Sequence, residues 1–474
     1  MQVWTATTTL LPHQQDAVHK LLPARVGALF ADMGTGKTRA ALDLARLRQS
    51  KIDRVIWCCP VSAKETIRRE ILKHIDTNPA AIHVFDARTT ERTCPAVPWY
   101  IVGTESISAS SRVVCTLAAL IDDRTMVVVD ESHQIKGHRS RRTERLTALA
   151  AKARYRLILT GTPISQGIVD LFAQMRFLSP RILGYRSFHT FARNHLVYSE
   201  RFRGLIEREK NAEYLAAKIR PYVYQITKEE CLTLPAKLYS RRYTDLTAAQ
   251  ETAYAAAKER ILIDECLFGE DDWQRRVAIF HLFTVLQTIA CGFETTPDKR
   301  VIRYPHHRIE LLREAVARLP EEPVVIWAKY HHAIEQITAA LTADHGPASV
   351  QPYHGRLSER DRQRSLDAWR TGGRFLVATQ SAGGQSIDLT RARYVIYYAN
   401  AFKYSERQQS EDRCHRLGQT QPVTYLDLWS TAGIDDRIEK ALGRKENAVA
   451  AFRAEVEKVR KSHKDRLREL VQVL

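Results

Sequence analysis

The segment Ala31-Asp-Met-Gly-Thr-Gly-Lys-Thr38 constrains this chain more than any other. An apolar run, Val26–Phe30, precedes it, and a helix-like stretch, Arg39–Leu47, follows. That order predicts a strand, a glycine-rich loop and a helix, the setting in which backbone N–H groups and a helix N-terminus gather around phosphate oxygens. Gly34 and Gly36 let the backbone approach a phosphate closely. Lys37 is placed to reach the β- and γ-phosphates, and Thr38 to ligate Mg2+. The general pattern opens on glycine, whereas this chain has Ala31 there. The competing reading is a glycine-rich turn that happens to contain Lys-Thr.

The surroundings favour an α/β fold. Short apolar runs alternate with helical patterns in two stretches. The first holds Val26–Phe30, Val55–Cys59, Trp99–Val102, Met126–Val129 and Arg156–Leu159; the second holds Val324–Trp327, Arg374–Ala378, Tyr394–Tyr398 and Val423–Leu428. Continuous apolar runs of this length predict strands buried on both faces, and their alternation with helices predicts parallel βαβ units. Two parallel-sheet lobes in tandem follow, at 1–225 and 304–445. Residues 226–303 read as a helical insertion and lobe linker, because Thr247–Phe293 is rich in Ala, Leu, Glu and Arg at helical spacing. Residues 446–474 read as a basic C-terminal helix, either packed on the body or bracing a polyanion.

Met126-Val-Val-Val-Asp-Glu-Ser-His133 carries the next signal. A buried strand here delivers Asp130 and Glu131 to its C-terminal end, where open α/β sheets place ligands. Asp130 would hold Mg2+, and Glu131 would orient and deprotonate an attacking water. A lone Asp-Glu after a strand is more often surface chemistry; the phosphate loop in the same lobe tips the balance toward an ATP hydrolysis site. Leu159-Thr-Gly-Thr-Pro163 and Ala382-Gly383-Gly384 also end strands, and each could be an ordinary turn. Arg413 and Arg416, three apart in Gln409–Gln419, are predicted to share a helix face. Arginines brought to a γ-phosphate stabilise charge developing in the transition state, although an isolated pair of this kind is usually solvated.

Composition narrows the partners. The chain has 474 residues, 72 Lys plus Arg and 54 Asp plus Glu, a net charge of +18. Such an excess favours a polyanion. One concentration is Lys136–Arg156, with Lys136, Arg139, Arg141, Arg142, Arg145, Lys152, Arg154 and Arg156 against Glu144 alone. No apolar run is long enough to span a bilayer. The N-terminus has no signal-peptide pattern, and the scattered cysteines suggest neither zinc nor disulfides, so a cytoplasmic setting is expected.

In this order the segments resemble the superfamily 2 helicase-like motors, and more narrowly the Swi/Snf-like DNA translocases. Leu11-Pro-His-Gln14 resembles the adenine-recognising segment, which implies Gln14 as base reader. ADMGTGKT resembles the family's phosphate loop, including the non-glycine start, and adds Met33 and Thr35 to the nucleotide contacts. DESHQIKG resembles its DEAH-like segment, with Lys136 at the matching position. LTGTPIS resembles the motif coupling the ATP site to DNA, and TVLQTIACGF the lobe-linking segment. Tyr353-His-Gly355, AGGQSIDLT and QSEDRCHRLGQ resemble the second-lobe motifs, implying a nucleotide contact at Gly384. Gln385-Ser386 and Ser165-Gln166 depart from the usual pattern.

The resemblance implies two RecA-like lobes with ATP and Mg2+ in the cleft between them. Lys37 and Glu131 would act in hydrolysis from one lobe, Arg413 and Arg416 from the other. It implies DNA contacts at Thr104 and Gly383; the basic run itself, short of acidic partners in sequence, favours phosphate-facing roles for Lys136, Arg139, Arg141 and Arg142 over a surface or ion-pair role. The expected function is a DNA-stimulated ATPase that translocates on double-stranded DNA. A strand-separating helicase and an ATP-gated DNA clamp with little hydrolysis are the alternatives. The length is used up by two lobes, an insertion and a tail, which looks more like a bacteriophage or bacterial motor than a large chromatin remodeller.

Overall fold

The computed structural model describes residues 3–164, 167–198, 206–263, 272–383, 387–460 and 469–474. The chain divides into two compact units, Met1–Thr233 and Leu234–Leu474. No helix among the described residues is long and apolar enough to cross a membrane.

The first unit is built on a seven-stranded sheet. In chain order its strands are β1 (Val26–Ala31), β2 (Arg54–Cys59), β3 (Ile82–Val84), β4 (Trp99–Gly103), β5 (Thr125–Asp130), β6 (Tyr155–Thr160) and β7 (Val223–Ile226). Their order in space is β7-β1-β6-β5-β2-β4-β3, and every neighbouring pair is parallel. Alternate residues feed the two faces, so Val127 and Val129 enter one core while Met126 and Val128 enter the other. Two-sided burial explains the unbroken apolar runs.

The second unit has a six-stranded sheet. Its strands are β8 (Lys237–Thr244), β9 (Val324–Ala328), β10 (Val350–Tyr353), β11 (Phe375–Thr379), β12 (Tyr394–Tyr397) and β13 (Val423–Ser430), ordered β8-β13-β12-β9-β11-β10 and again wholly parallel. All nine strands expected from apolar runs are present. Within these two sheets, the strands found only in the structure are β3, β7, β8 and β10, and each lies at a sheet edge. Edge strands are short or exposed on one side, so they carry no long apolar run. Strand β8 also differs from expectation in place. It falls inside 226–303, read as helical connection, yet pairs with β13 along its whole length.

The stretch Thr247–Phe293 is helical as expected, forming Ala248–Ile263 and Asp272–Ala290. These helices share a core with Gly433–Gly443 and with the tail, whose Phe452, Val456, Val471 and Leu474 are buried. The described part of the tail is therefore packed on the body through its apolar side.

Candidate functional site

Parallel strands all end at the same edge of a sheet, and the first unit gathers its polar motifs there. Strand β6 lies between β1 and β5. The strands leading to the phosphate loop and to Asp130–Glu131 are thus two positions apart, about 10 Å across the sheet. Register places Leu159 level with both Leu29 and Asp130.

The loop takes its shape from two left-handed glycines, Gly34 (φ 82°) and Gly36 (φ 83°), a conformation that costs other residues strain. The helix Lys37–Leu47 begins immediately after Gly36. Lys37 Nζ donates to the carbonyls of Ala31 (2.6 Å) and Asp32 (3.0 Å), which folds the lysine back over the loop. Thr35 Oγ1 donates to Asp32 O at 2.8 Å. Met33 and Thr35 are buried, whereas Thr38 and Lys37 are partly open. Asp32 is turned the other way: its Oδ2 accepts from Lys228 N at 2.9 Å, and its own N–H donates to Ile226 O.

Gln14 braces this loop. It lies in the first turn of Pro12–Leu21, accepts from Leu11 N (3.0 Å) through Oε1 and donates to Thr35 O (3.2 Å) through Nε2. His13 Nε2 meets the same carbonyl at 2.8 Å. Both side chains are buried. The expected base reader is thereby committed to the loop's backbone, and His13 is a partner that pattern reasoning missed.

Asp130 ends β5, and its Oδ1 accepts from Glu131 N at 2.9 Å. Glu131 sits in the left-handed region (φ 51°, ψ 52°), which turns its side chain sharply off the strand direction. His133 Nδ1 lies 3.3 Å from Glu131 Oε2 and 3.4 Å from Thr160 Oγ1, linking the carboxylates to the end of β6. The turn after β6 touches the phosphate loop, since a Cβ on Gly161 would stand 3.3 Å from Met33 N and 3.4 Å from Ala31 O. Gln174 closes the group: its Oε1 accepts from Ser132 Oγ at 2.8 Å, and its Nε2 donates to Pro163 O at 2.8 Å. The carboxylate segment and the LTGTP turn are thus joined by hydrogen bonds, and Gly161 packs the turn closely against the phosphate loop.

The residues expected to meet DNA fall into two groups. Thr104 is fully buried, and its hydroxyl donates to Gln134 Oε1 at 2.8 Å. Arg142 Nη1 donates to the same oxygen at 3.0 Å, and Lys136 Nζ stands 3.5 Å from Asp170 Oδ2. The acidic partner that the local sequence of Lys136 lacks comes from 34 residues downstream. Arg145 caps the carbonyls of Ile107 and Ser108, and Arg156 that of Phe177. These groups are internal braces. Arg139, Arg141 and Lys152 are exposed.

In the second unit, Gly383 closes a short helix, Gln380–Gly383, after β11. Gly384 and the departures at Gln385-Ser386 and Ser165-Gln166 lie outside the described residues. Arg413 lies in the last turn of Tyr404–Cys414 and is buried. The expected shared helix face is corrected, because the helix stops at Cys414 and Arg416 sits in the turn beyond it. That turn uses Gly418 at φ 100° and is locked by Gln419, whose Nε2 donates to the carbonyls of Thr390, Ala392 and Cys414. Burial would raise the Asp388 pKa, but the charge of Arg416 and hydrogen bonds from Thr390 outweigh it and hold the carboxyl below its ordinary range. Arg407, Asn400, Asp427 and Glu411 form a buried network behind the arginine helix; Arg407 donates to all three of the others. Nothing in the local pattern around Arg407 distinguishes it from the solvated arginines nearby.

Comparison with known proteins gives the family. The model described as "SNF2-related domain" matches residues 13–292, and "Helicase conserved C-terminal domain" matches 307–418. An uncharacterized ATP-dependent helicase of Mycoplasma genitalium is 25% identical over 332 residues, covering 68% of this chain and 30% of that protein. The human DNA annealing helicase and endonuclease ZRANB3 is 24% identical over 449 residues, covering 92% of this chain and 40% of that protein. The chain thus spans well under two thirds of these relatives. A solved structure, the Sulfolobus solfataricus SWI2/SNF2 ATPase core in complex with dsDNA, is 21% identical, with a TM-score of 0.43 over 99% of this chain and 98% of that one. With the first match alone covering more than half of its residues, the chain belongs to the SNF2-related domain family.

Proposed function

We propose that this chain is an ATP-driven motor on double-stranded DNA. One observation carries the reading: the phosphate loop, Asp130–Glu131 and the LTGTP turn end neighbouring strands and are joined through Gly161 and His133. In a member of this family that edge suits ATP hydrolysis, and the turn after β6 is the natural element to feel both nucleotide and DNA. One relative named as an ATP-dependent helicase and another named as a DNA annealing helicase support the same reading.

Each residue then has a task. The N–H groups around Gly34 and Gly36 and the start of Lys37–Leu47 hold the phosphates. Lys37 exchanges its two loop carbonyls for phosphate oxygens. Glu131 takes the proton of the attacking water. Thr38 and Asp130 offer oxygen donors, a set that fits Mg2+, which when bound neutralises phosphate charge. Arg413 and Arg416 are the arginines we assign to stabilising transition-state charge. Gln14 sets the loop and, on releasing Thr35 O, can read the base. Exposed Arg139 and Arg141 contact the DNA backbone, while Lys136, Arg142 and Thr104 hold that surface in shape. Helices Ala248–Ile263 and Asp272–Ala290 we assign to the lobe linker.

Phosphate release measured with duplex, single-stranded and forked DNA and with RNA tests the proposal. Duplex DNA should accelerate it most. Equal rates with and without every nucleic acid would sink the motor reading. A triplex-displacement assay beside a strand-displacement assay then separates translocation from unwinding, with activity expected in the first.

A further inference from the structure

The helix Val169–Leu178 is apolar along most of its buried length, with Leu171, Phe172, Met175, Phe177 and Leu178 all in one core of the first unit. Gln174 breaks that run and is itself fully buried. A carboxamide withdrawn from water is tolerated only when its polar atoms are paired. Gln174 meets that condition. Its Oε1 accepts from Ser132 Oγ at 2.8 Å, and its Nε2 donates to Pro163 O at 2.8 Å and to Asp170 O at 3.0 Å. The two carbonyls fix which way the amide faces, because a flipped group would set its oxygen against both of them.

Ser132 directly follows Glu131 and is also fully buried. Glu131 holds a left-handed backbone (φ 51°), which a residue with a side chain keeps only where its surroundings over-determine it. Three restraints act on it. Asp130 Oδ1 accepts from Glu131 N at 2.9 Å, Gln134 N donates to Glu131 O at 2.9 Å, and Gln174 holds the hydroxyl of the next residue. The first two come from the same short segment. Of the three, Gln174 alone reaches in from another element, and its amide nitrogen grips Pro163 in the turn after β6. We infer that Gln174 is a positioning residue for hydrolysis: by clamping Ser132 and Pro163 together, it holds the strained Glu131 backbone, and with it the carboxylate, in place against that turn. The inference rests on the proposed role of Glu131 as base. An apolar side chain of the same length would fill the space but leave Ser132 Oγ and Pro163 O without this partner.

The test is a double-mutant cycle in the full chain with duplex DNA: Gln174→Met, Ser132→Ala and the two combined, with Glu131→Gln alongside. Each single substitution should lower kcat roughly tenfold, the scale of a displaced catalytic group, with KM for ATP unchanged. The combination should cost no more than Gln174→Met alone, since both substitutions remove the same bond. Gln174→Glu adds a pH signature. Its ionised carboxylate would face two carbonyl oxygens, whereas the protonated acid can donate to one of them and accept from Ser132. Its rate relative to the parent should therefore climb as pH falls. Full kcat in Ser132→Ala, losses that multiply in the combined variant, a rise in KM matching the fall in kcat, or a Gln174→Glu rate in constant ratio to the parent at every pH overturns the clamp. If Glu131→Gln itself turns over normally, the base reading falls instead. Should Gln174→Met fail to fold, Ser132→Ala and Gln174→Glu still decide.

Discussion

Glu131 holds a left-handed backbone (φ 51°) that non-glycine residues rarely adopt, at a cost of order 1–2 kcal/mol. The strain turns the carboxylate off the strand and toward His133. Glu131→Gln keeps the shape of the side chain but removes the proposed base. Phosphate release should fall at least about 100-fold while ATP still binds, and a variant retaining most of its rate would remove Glu131 from the chemistry. Gly36 argues similarly from space. A Cβ there would fall on the Gln14 amide, in a backbone conformation suited to glycine (φ 83°). Gly36→Ala should weaken ATP binding and cost the first unit about 1 kcal/mol, read from nucleotide titration and thermal melting.

At the scale of elements, the helix Tyr404–Cys414 is held by charge rather than by apolar surface. Burial would raise the pKa of Glu411, but Arg407 and Lys237 more than offset it and hold the carboxyl below its ordinary value of 4.5. A depressed carboxylate stabilises the fold above its unfolded pKa, and that contribution is lost as pH falls through the lower folded value. Melting temperature should therefore drop as pH falls below 4.5, and less steeply in Glu411→Gln than in the parent. Identical slopes would mean that Glu411 carries no linkage. The turn after this helix depends on Gln419, which satisfies three carbonyls. Gln419→Ala should loosen Arg416 and slow turnover more than it weakens ATP binding, shown by kcat falling at constant KM.

At the scale of the molecule, a net charge of +18 does not by itself say which basic residues are free to meet a polyanion such as the proposed DNA. Of the basic run Lys136–Arg156, several members are spent on Asp170, Gln134 and backbone carbonyls. Arg139→Ala/Arg141→Ala should weaken duplex-DNA stimulation and flatten its dependence on log salt by roughly one unit per arginine lost. Lys136→Ala should instead lower melting temperature, because it leaves Asp170, with 4% of its side chain exposed, without that ion-pair partner. A flattened salt slope for Lys136→Ala at unchanged stability would reverse the two assignments.

What the sequence determined by itself was whatever depends on local pattern. Two-sided burial writes continuous apolar runs, so the interior strands from Val26–Ala31 to Val423–Ser430 were legible, as were the loop and the carboxylates that end them. Edge strands such as Lys237–Thr244 were not, since half of their surface faces outward and no run marks them. Only the tertiary structure decided how polar groups are spent. Lys136 finds Asp170, Thr104 finds Gln134, and Arg407 finds Asp427 across separations of 34, 30 and 20 residues. Pairing over such distances depends on where the sheets place each strand end, which no residue's immediate neighbours record.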